Sequence, residues 1–252
     1  MTLMYTSIFF LYGTILGSFY NVVGLRMPVK QSIVFPGSSC PGCSHQLKWF
    51  ELIPVLSFLF LKGSCRKCSS QISFLYPAME MLTGVLFAYA YWKYQFSLEF
   101  AVALLFISLL VIITVSDLAY MIIPDKILLF FGGALLVLRV FEPLTPWWDA
   151  YAGSVAGFSL LLFIAIVSKG GMGGGDIKLY AVIGLVLGVK LTLLSFFLAT
   201  LIGTMAGVAG IVWKRKNRKE PVPFGPSIAA ASVITYFWGE DLISLYLQLL
   251  FS

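Results

Sequence analysis

Residues 170–178 read GGMGGGDIK, a short polar break between two long apolar runs. One aspartate stands there behind five glycines, at the mouth of a hydrophobic stretch. A break of this kind ends one membrane helix and starts the next, so its reading decides the fold. The surrounding chain has 252 residues, of which 60% are hydrophobic and 11% charged, and its mean hydropathy is +0.94. A soluble domain carries about 25% charged residues. Lipid is therefore the solvent for most of this surface. The formal net charge of +6 does not point to nucleic acid, because the cations lie in short loops between apolar runs rather than along one face.

Working outward from the break, spans are expected near 3–23, 73–92, 99–116, 126–141, 150–168, 177–189, 191–213 and 228–249. The fold class is thus an all-α polytopic membrane protein with about eight transmembrane helices, about 20 apolar residues sufficing for each. The stretch 177–213 is divided at Gly188-Val189-Lys190; one long tilted helix is the alternative, and it moves the C-terminus to the other side. The first run lacks a basic start and a small-residue cleavage site, which reads as a retained span.

Charge sets the orientation. With the loop 24–72 inside, the inside holds Arg26, Lys30, Lys48, Lys62, Arg66, Lys67, Lys126, Lys169, Lys178, Lys214, Arg215, Lys216, Arg218 and Lys219. Only Lys93, Arg139 and Lys190 remain outside, with both termini. Trp147 and Trp148 then fall at the outer interface, where indole rings are favoured.

All four cysteines lie in that one loop, Cys40 and Cys43 as one C-x2-C pair and Cys65 and Cys68 as another. Four thiolates at this spacing close tetrahedrally on zinc. Disulfides are the alternative, but a cytosolic loop disfavours them. A closed site leaves no position for water, so such a zinc holds structure rather than cutting bonds. His45 reads as a surface residue, and the apolar LIPVLSFLFLKG at 52–63 is suited to packing back on the membrane surface.

Ionisable groups at the edge of spans are costly and need an account. Asp117 ends the third span in VIITVSDLAYMIIPD, and Asp176 opens the sixth in the glycine break. By topology both stand at the same membrane edge. Two carboxylates brought together in a dry cleft share a proton, which supplies an acid and a base able to hydrolyse a peptide. The glycines would let the backbone between Gly170 and Gly175 adopt positive φ and let an extended substrate approach closely, with Gly173, Gly174 and Gly175 as its contacts. Simple helix capping by Asp176 explains the aspartate but not the glycines. Asp125, after Pro124, reads as a cap. Glu80 lies near an inner span end, where it faces the same cleft or pairs with a loop cation. Glu142 and Asp149 read as ordinary interface charges.

These pieces together resemble the type IV prepilin peptidases, the bifunctional leader peptidase/N-methyltransferases of bacteria. The resemblance runs through GSFYNVVGLRMP at 17–28, both cysteine pairs, ELIPVLSFL, ISFLYPAME, SDLAYMIIPD, GGGDIKLYAVIGLVLG and PFGPSIAAAS at 223–232. In length and motif wording it is similar to the competence-type members of Gram-positive bacteria. It implies catalytic aspartates at Asp117 and Asp176, zinc on Cys40, Cys43, Cys65 and Cys68, and a peptidase core over 73–252 following a first helix at 1–23 and a zinc loop at 24–72. It further implies prepilin or pseudopilin substrates cut on the cytoplasmic side of a bacterial cell membrane. Methylation of the new N-terminus from S-adenosylmethionine is the second implied activity. Glu51 matches an acidic position of the family loop and is the candidate for that step; a solvated glutamate is the alternative. Two rival readings remain for this composition, an ion-coupled carrier using intramembrane aspartates and a zinc-organised scaffold.

Overall fold

The computed structural model describes every residue except Pro41, Gly170, residues 215–222 and Ser252. The cations Arg215, Lys216, Arg218 and Lys219, counted in the charge argument, therefore lie outside the described residues, as does the first glycine of the break. The helices are α1 Thr2–Arg26, α2 Leu56–Phe60, α3 Leu75–Tyr94, α4 Leu98–Tyr120, α5 Asp125–Phe141, α6 Asp149–Val167, α7 Gly174–Lys214 and α8 Gly225–Phe251, with a 3-10 turn at Trp49–Leu52. Among the described residues there is no strand, only two isolated bridges in the cysteine loop. Among the described residues, five helical stretches are long and apolar enough to cross a bilayer: α1, α4, α6, Gly174–Gly210 of α7 and Gly225–Leu250 of α8.

The chain divides into two compact units, Met1–Ala119 and Tyr120–Ser252. In the first, α1 and α3 run antiparallel and very close. A Cβ on Gly13 would lie 2.8 Å from the Gly84 Cα, and one on Gly17 would lie 2.8 Å from the Glu80 Cα. Farther along, the Asn21 amide donates to the Tyr76 carbonyl at 3.1 Å. The Gly13-x3-Gly17 spacing is what lets two backbones meet in lipid, where packing rather than water drives association. Helix α4 runs parallel to α1: Phe9 meets Phe100 edge-on at 4.8 Å, the Tyr20 and Ser108 hydroxyls are 2.7 Å apart, and Gly24 meets Val115. The cysteine loop, the start of α3 and the end of α4 consequently share one end of this unit.

In the second unit α7 is not one rod. Gly188 has φ 74 and ψ 176, which breaks the helix into arms of 174–187 and 189–214. The Tyr180 and Phe196 rings are 6.0 Å apart. On a continuous helix those residues would be about 24 Å apart. The chain therefore turns back on itself, and the division expected at Gly188-Val189-Lys190 is present. Both arms lie on α6, where the glycine positions Gly153 and Gly157 meet Gly184, Gly188, Tyr180 and Thr192. Helix α8 packs along the second arm through Ser195–Ser232 and Gly203–Phe224.

Two ionisable side chains close the reversal. The buried Arg139 donates from Nη2 to the Val186 carbonyl at 2.9 Å, satisfying the end of the first arm. Asp149 Oδ1 accepts the Val189 amide at 3.2 Å and so caps the second arm. Asp149 is thus a helix cap, not the ordinary interface charge its sequence position indicates. Gly188 sits in backbone space that is essentially glycine-only, and a Cβ there would overlap the Asp149 carboxylate. Gly188→Ala is expected to destabilise the unit by about 2–4 kcal/mol, from strain plus overlap. Thermal unfolding in detergent measures it, and an unchanged midpoint would contradict the hairpin.

Candidate active site and metal centre

Asp117 lies on α4, three residues before that helix ends, and its side chain is buried. It stands at the end of the first unit that carries the cysteine loop. Asp176 lies in the first turn of α7, half-buried, with its amide donating to the Gly173 carbonyl at 3.1 Å. A carboxylate in a first turn is favoured by the helix macrodipole. The same end of the second unit carries the start of α5 and the loop after α6, because α5 runs parallel to the first arm and α6 antiparallel to it. Asp117 and Asp176 belong to different units.

The glycine break works differently from the sequence expectation. Among the described residues the only glycines with left-handed φ are Gly63 and Gly188; in the break itself it is Lys169 that has φ 52. Gly173, Gly174 and Gly175 do not use positive φ. Their small size acts through close approach instead. A Cβ on Gly175 would lie 2.7 Å from the Ile123 Cβ, and one on Gly173 would lie 3.1 Å from Asp176 Oδ2, so the carboxylate curls back over Gly173. Gly174 faces open space. Gly175→Ala is accordingly expected to displace the start of α7 and lower the unfolding midpoint by several degrees, since overpacking costs roughly 1–3 kcal/mol. Gly174→Ala is expected to leave that midpoint unchanged or slightly raised. Scanning calorimetry of both variants checks the contrast.

Asp125 is the first residue of α5, behind the N-cap Pro124, and makes no side-chain cap. Its two oxygens are each 2.8 Å from Lys178 Nζ. The capping expectation is corrected, because a cation two residues after Asp176 lies within reach. Glu80 accepts the Val55 amide at 2.7 Å and is buried. It is paired with loop backbone, not with a loop cation.

The four cysteines come together, with all four Sγ atoms within 4.8 Å of one another. Cys40 and Cys68 sulfurs are 3.7 Å apart and Cys43 and Cys65 sulfurs 3.9 Å. A tetrahedral site with Zn–S bonds of about 2.3 Å has sulfur–sulfur edges of about 3.8 Å. The sulfurs are far beyond disulfide distance, which is about 2.05 Å, and all four are free thiols. The set fits zinc. The two knuckles are built alike, a repetition visible in the sequence as SCPGCSHQ at 39–46 and SCRKCSSQ at 64–71. In each, the first cysteine amide bonds the carbonyl five residues on, His45 or Ser70. In each, Ser44 or Ser69 returns an amide to the cysteine carbonyl with φ 54 or 56.

The Ser70 hydroxyl and the Gly42 amide draw the Cys40 thiol down to about 6. The Ser70 amide and hydroxyl likewise lower Cys68. Cys43 is pushed up to about 11: the His45 amide pulls it down, but burial and the sulfurs of Cys68, Cys40 and Cys65 outweigh that bond. Crowded sulfurs cannot all carry charge unaided, and a dication removes the conflict.

Glu51 is buried, accepts the Lys48 amide at 2.8 Å and faces His45 Nε2 at 3.6 Å. With His45, Lys48, Phe50, Arg66 and Lys67 it lines a cavity of about 280 Å³. It is not the solvated loop glutamate of the alternative reading.

Comparison with known proteins covers both halves of the chain. Residues 11–94 match the family described as Bacterial Peptidase A24 N-terminal domain, and residues 104–208 match the Type IV leader peptidase family. The first span holds the cysteines and Glu51, the second holds Asp117 and Asp176. A protein of Bacillus subtilis (strain 168) named prepilin leader peptidase/N-methyltransferase is 48% identical, covering 96% of this chain and 98% of that protein. Proteins of the same name from Aeromonas salmonicida (strain A449) and Pseudomonas aeruginosa are 32% and 31% identical, over 97% and 94% of this chain and 94% and 92% of theirs. No solved structure matches.

Proposed function

Because the chain belongs to the type IV leader peptidase family, we propose that it is a membrane aspartic endopeptidase that removes the short leader of prepilins and pseudopilins at the cytoplasmic membrane edge. The likeness to the Bacillus subtilis protein over 96% of this chain carries the reading. Asp117 and Asp176 are the catalytic residues of this reading, one acting as the carboxylate base and the other as the acid. The ionised carboxylate takes a proton from water as its oxygen attacks the scissile carbonyl. The protonated one gives its proton to the departing nitrogen as the C–N bond breaks. One water is consumed and the pair is left ready for another turn. Gly173, Gly174 and Gly175 form the surface on which the extended leader lies, and the open space at Gly174 supports that role.

The second activity is N-methylation of the amine exposed by cleavage. S-adenosylmethionine, when bound, would supply the methyl group to that amine, which would give up a proton to solvent. Glu51 is the acidic contact for that donor, supported by its place in the loop cavity beside Phe50 and Arg66. Zinc held by Cys40, Cys43, Cys65 and Cys68 fixes the fold of the loop. Eight spans with the cysteine loop in the cytoplasm of a bacterial cell complete the topology; the reversal at Gly188 and the charge asymmetry support it.

The test is a purified sample in lipid with a model prepilin, followed by mass. Loss of the leader is expected without S-adenosylmethionine, and gain of a methyl group's mass only with it. An intact substrate after prolonged incubation would remove the peptidase reading.

A further inference from the structure

Helix α2 is amphipathic in the wrong sense for water. Leu56, Leu59 and Phe60 share one face by their i, i+3, i+4 spacing and all three are exposed, Phe60 at 82%. The other side of α2 is pinned. The Phe58 ring covers Gly63 and meets Phe74 edge-on at 6.1 Å. Phe74 is the residue from which α3 starts, and it is itself 72% exposed.

The height of α2 is also fixed. The amide of Val55, the residue before α2, is held by Glu80, five residues inside α3. That is about 7.5 Å along the α3 axis. Val55 has φ 61, a conformation costly for a β-branched residue. The buried Glu80 carboxylate therefore holds a strained turn, and the turn keeps an apolar face outward beside the first two turns of α3. Helix α3 packs along α1, which is apolar and long enough to span. A depth of about 5–10 Å below the headgroups is where interfacial helices bury their apolar side.

Chemistry around α2 matches the same boundary. Lys62, Arg66 and Lys67 follow it and are exposed, and among the described residues none is paired with a carboxylate. Trp49, 78% exposed, precedes it. Aromatic and aliphatic residues flanked by unpaired cations are the composition of a surface that binds anionic lipid. We propose that α2 anchors the cysteine loop to the bilayer: Leu56, Leu59 and Phe60 lie at the headgroup–acyl boundary beside α3, while Lys62, Arg66 and Lys67 contact anionic phospholipid headgroups. This anchor is independent of the aspartate pair, although Arg66 and Lys67 also line the loop cavity beside Glu51.

The experiment uses the full chain in lipid nanodiscs, with a trifluoromethyl-phenylalanine in place of Phe60 and its fluorine signal recorded. A nitroxide high on the acyl chain is expected to broaden the signal, and an aqueous gadolinium chelate to leave it sharp. Replacing anionic with zwitterionic lipid, or combining Lys62→Gln, Arg66→Gln and Lys67→Gln, is expected to cut the lipid broadening roughly twofold or more. The same probe in place of Phe130, exposed on α5, serves as the lipid-facing reference, and bound zinc is measured to show that the loop is folded. Broadening by gadolinium alone would place the face in water. Shielding from both agents would mean that a second copy or another protein covers it. Equal lipid broadening in every lipid and in the triple variant would overturn the headgroup contacts. Any of these three results defeats the proposal.

Discussion

Asp117→Asn and Asp176→Asn are each expected to lower leader cleavage by about 10³-fold or more, with zinc content and helix content unchanged. Asparagine keeps the shape and hydrogen-bonding reach of aspartate but can neither accept a proton from water nor hand one to the leaving nitrogen. Each variant thus removes one half of the proposed acid–base pair. The double variant is expected to be little worse than either single one, because groups acting as a unit lose their effect together. Leader loss followed by mass, in lipid, gives the rates. A variant that still cuts at the parent rate would remove that aspartate from the pair. Asp125→Asn is the useful comparison. Its carboxylate is engaged with Lys178 on an exposed surface, and such pairs contribute about 0–1 kcal/mol. Cleavage should survive its loss largely intact.

Loss of the metal is the second large effect. Cys65→Ser, or prolonged chelation of the parent, is expected to take bound zinc from one per chain to none. Structural zinc contributes about 10–16 kcal/mol to small metal-organised folds, far more than the two bridges and turn bonds of this loop can replace. Amides of residues 38–47 and 63–72 should then exchange quickly with deuterium, while those of α4 and α7 remain protected. The effect stays local because the knuckles bond to each other, while Glu80 on the Val55 amide and Arg26 on the Ser32, Pro36 and Gly37 carbonyls tie the loop to the helices outside them. Elemental analysis and hydrogen exchange on the same sample decide it. A loop that stays protected without metal would mean that the thiols pack unaided.

Helix positions were legible because their signal is local. A run of apolar residues between charged or glycine-rich breaks is helical whatever it touches, since lipid leaves backbone groups no other partner. The break at Gly188 was legible for the same reason, as a Gly-Val-Lys interruption in an apolar run. The cysteine quartet followed from spacing alone. Partners of single side chains were not legible. Asp125, beside Pro124, has the look of a cap, yet its partner Lys178 is 53 residues away. Asp149 reads as an interface charge until the hairpin brings Val189 to it. Nothing near Glu80 in sequence indicates that it holds Val55.

The amino-acid sequence by itself determined that this is an all-α chain of apolar helices, where those helices lie to within a few residues, which four thiols gather, and which family it joins. Only the tertiary structure decided what each polar group among the helices does. It assigned Arg139 and Asp149 to the two sides of a reversal, Glu80 to a strained turn, and Gly173 and Gly175 to close approach rather than unusual φ. Hydropathy is summed over neighbours in the chain and survives any arrangement of helices. A buried donor or acceptor takes whichever partner the packed helices bring within about 3 Å, and that partner is set by contacts dozens of residues apart.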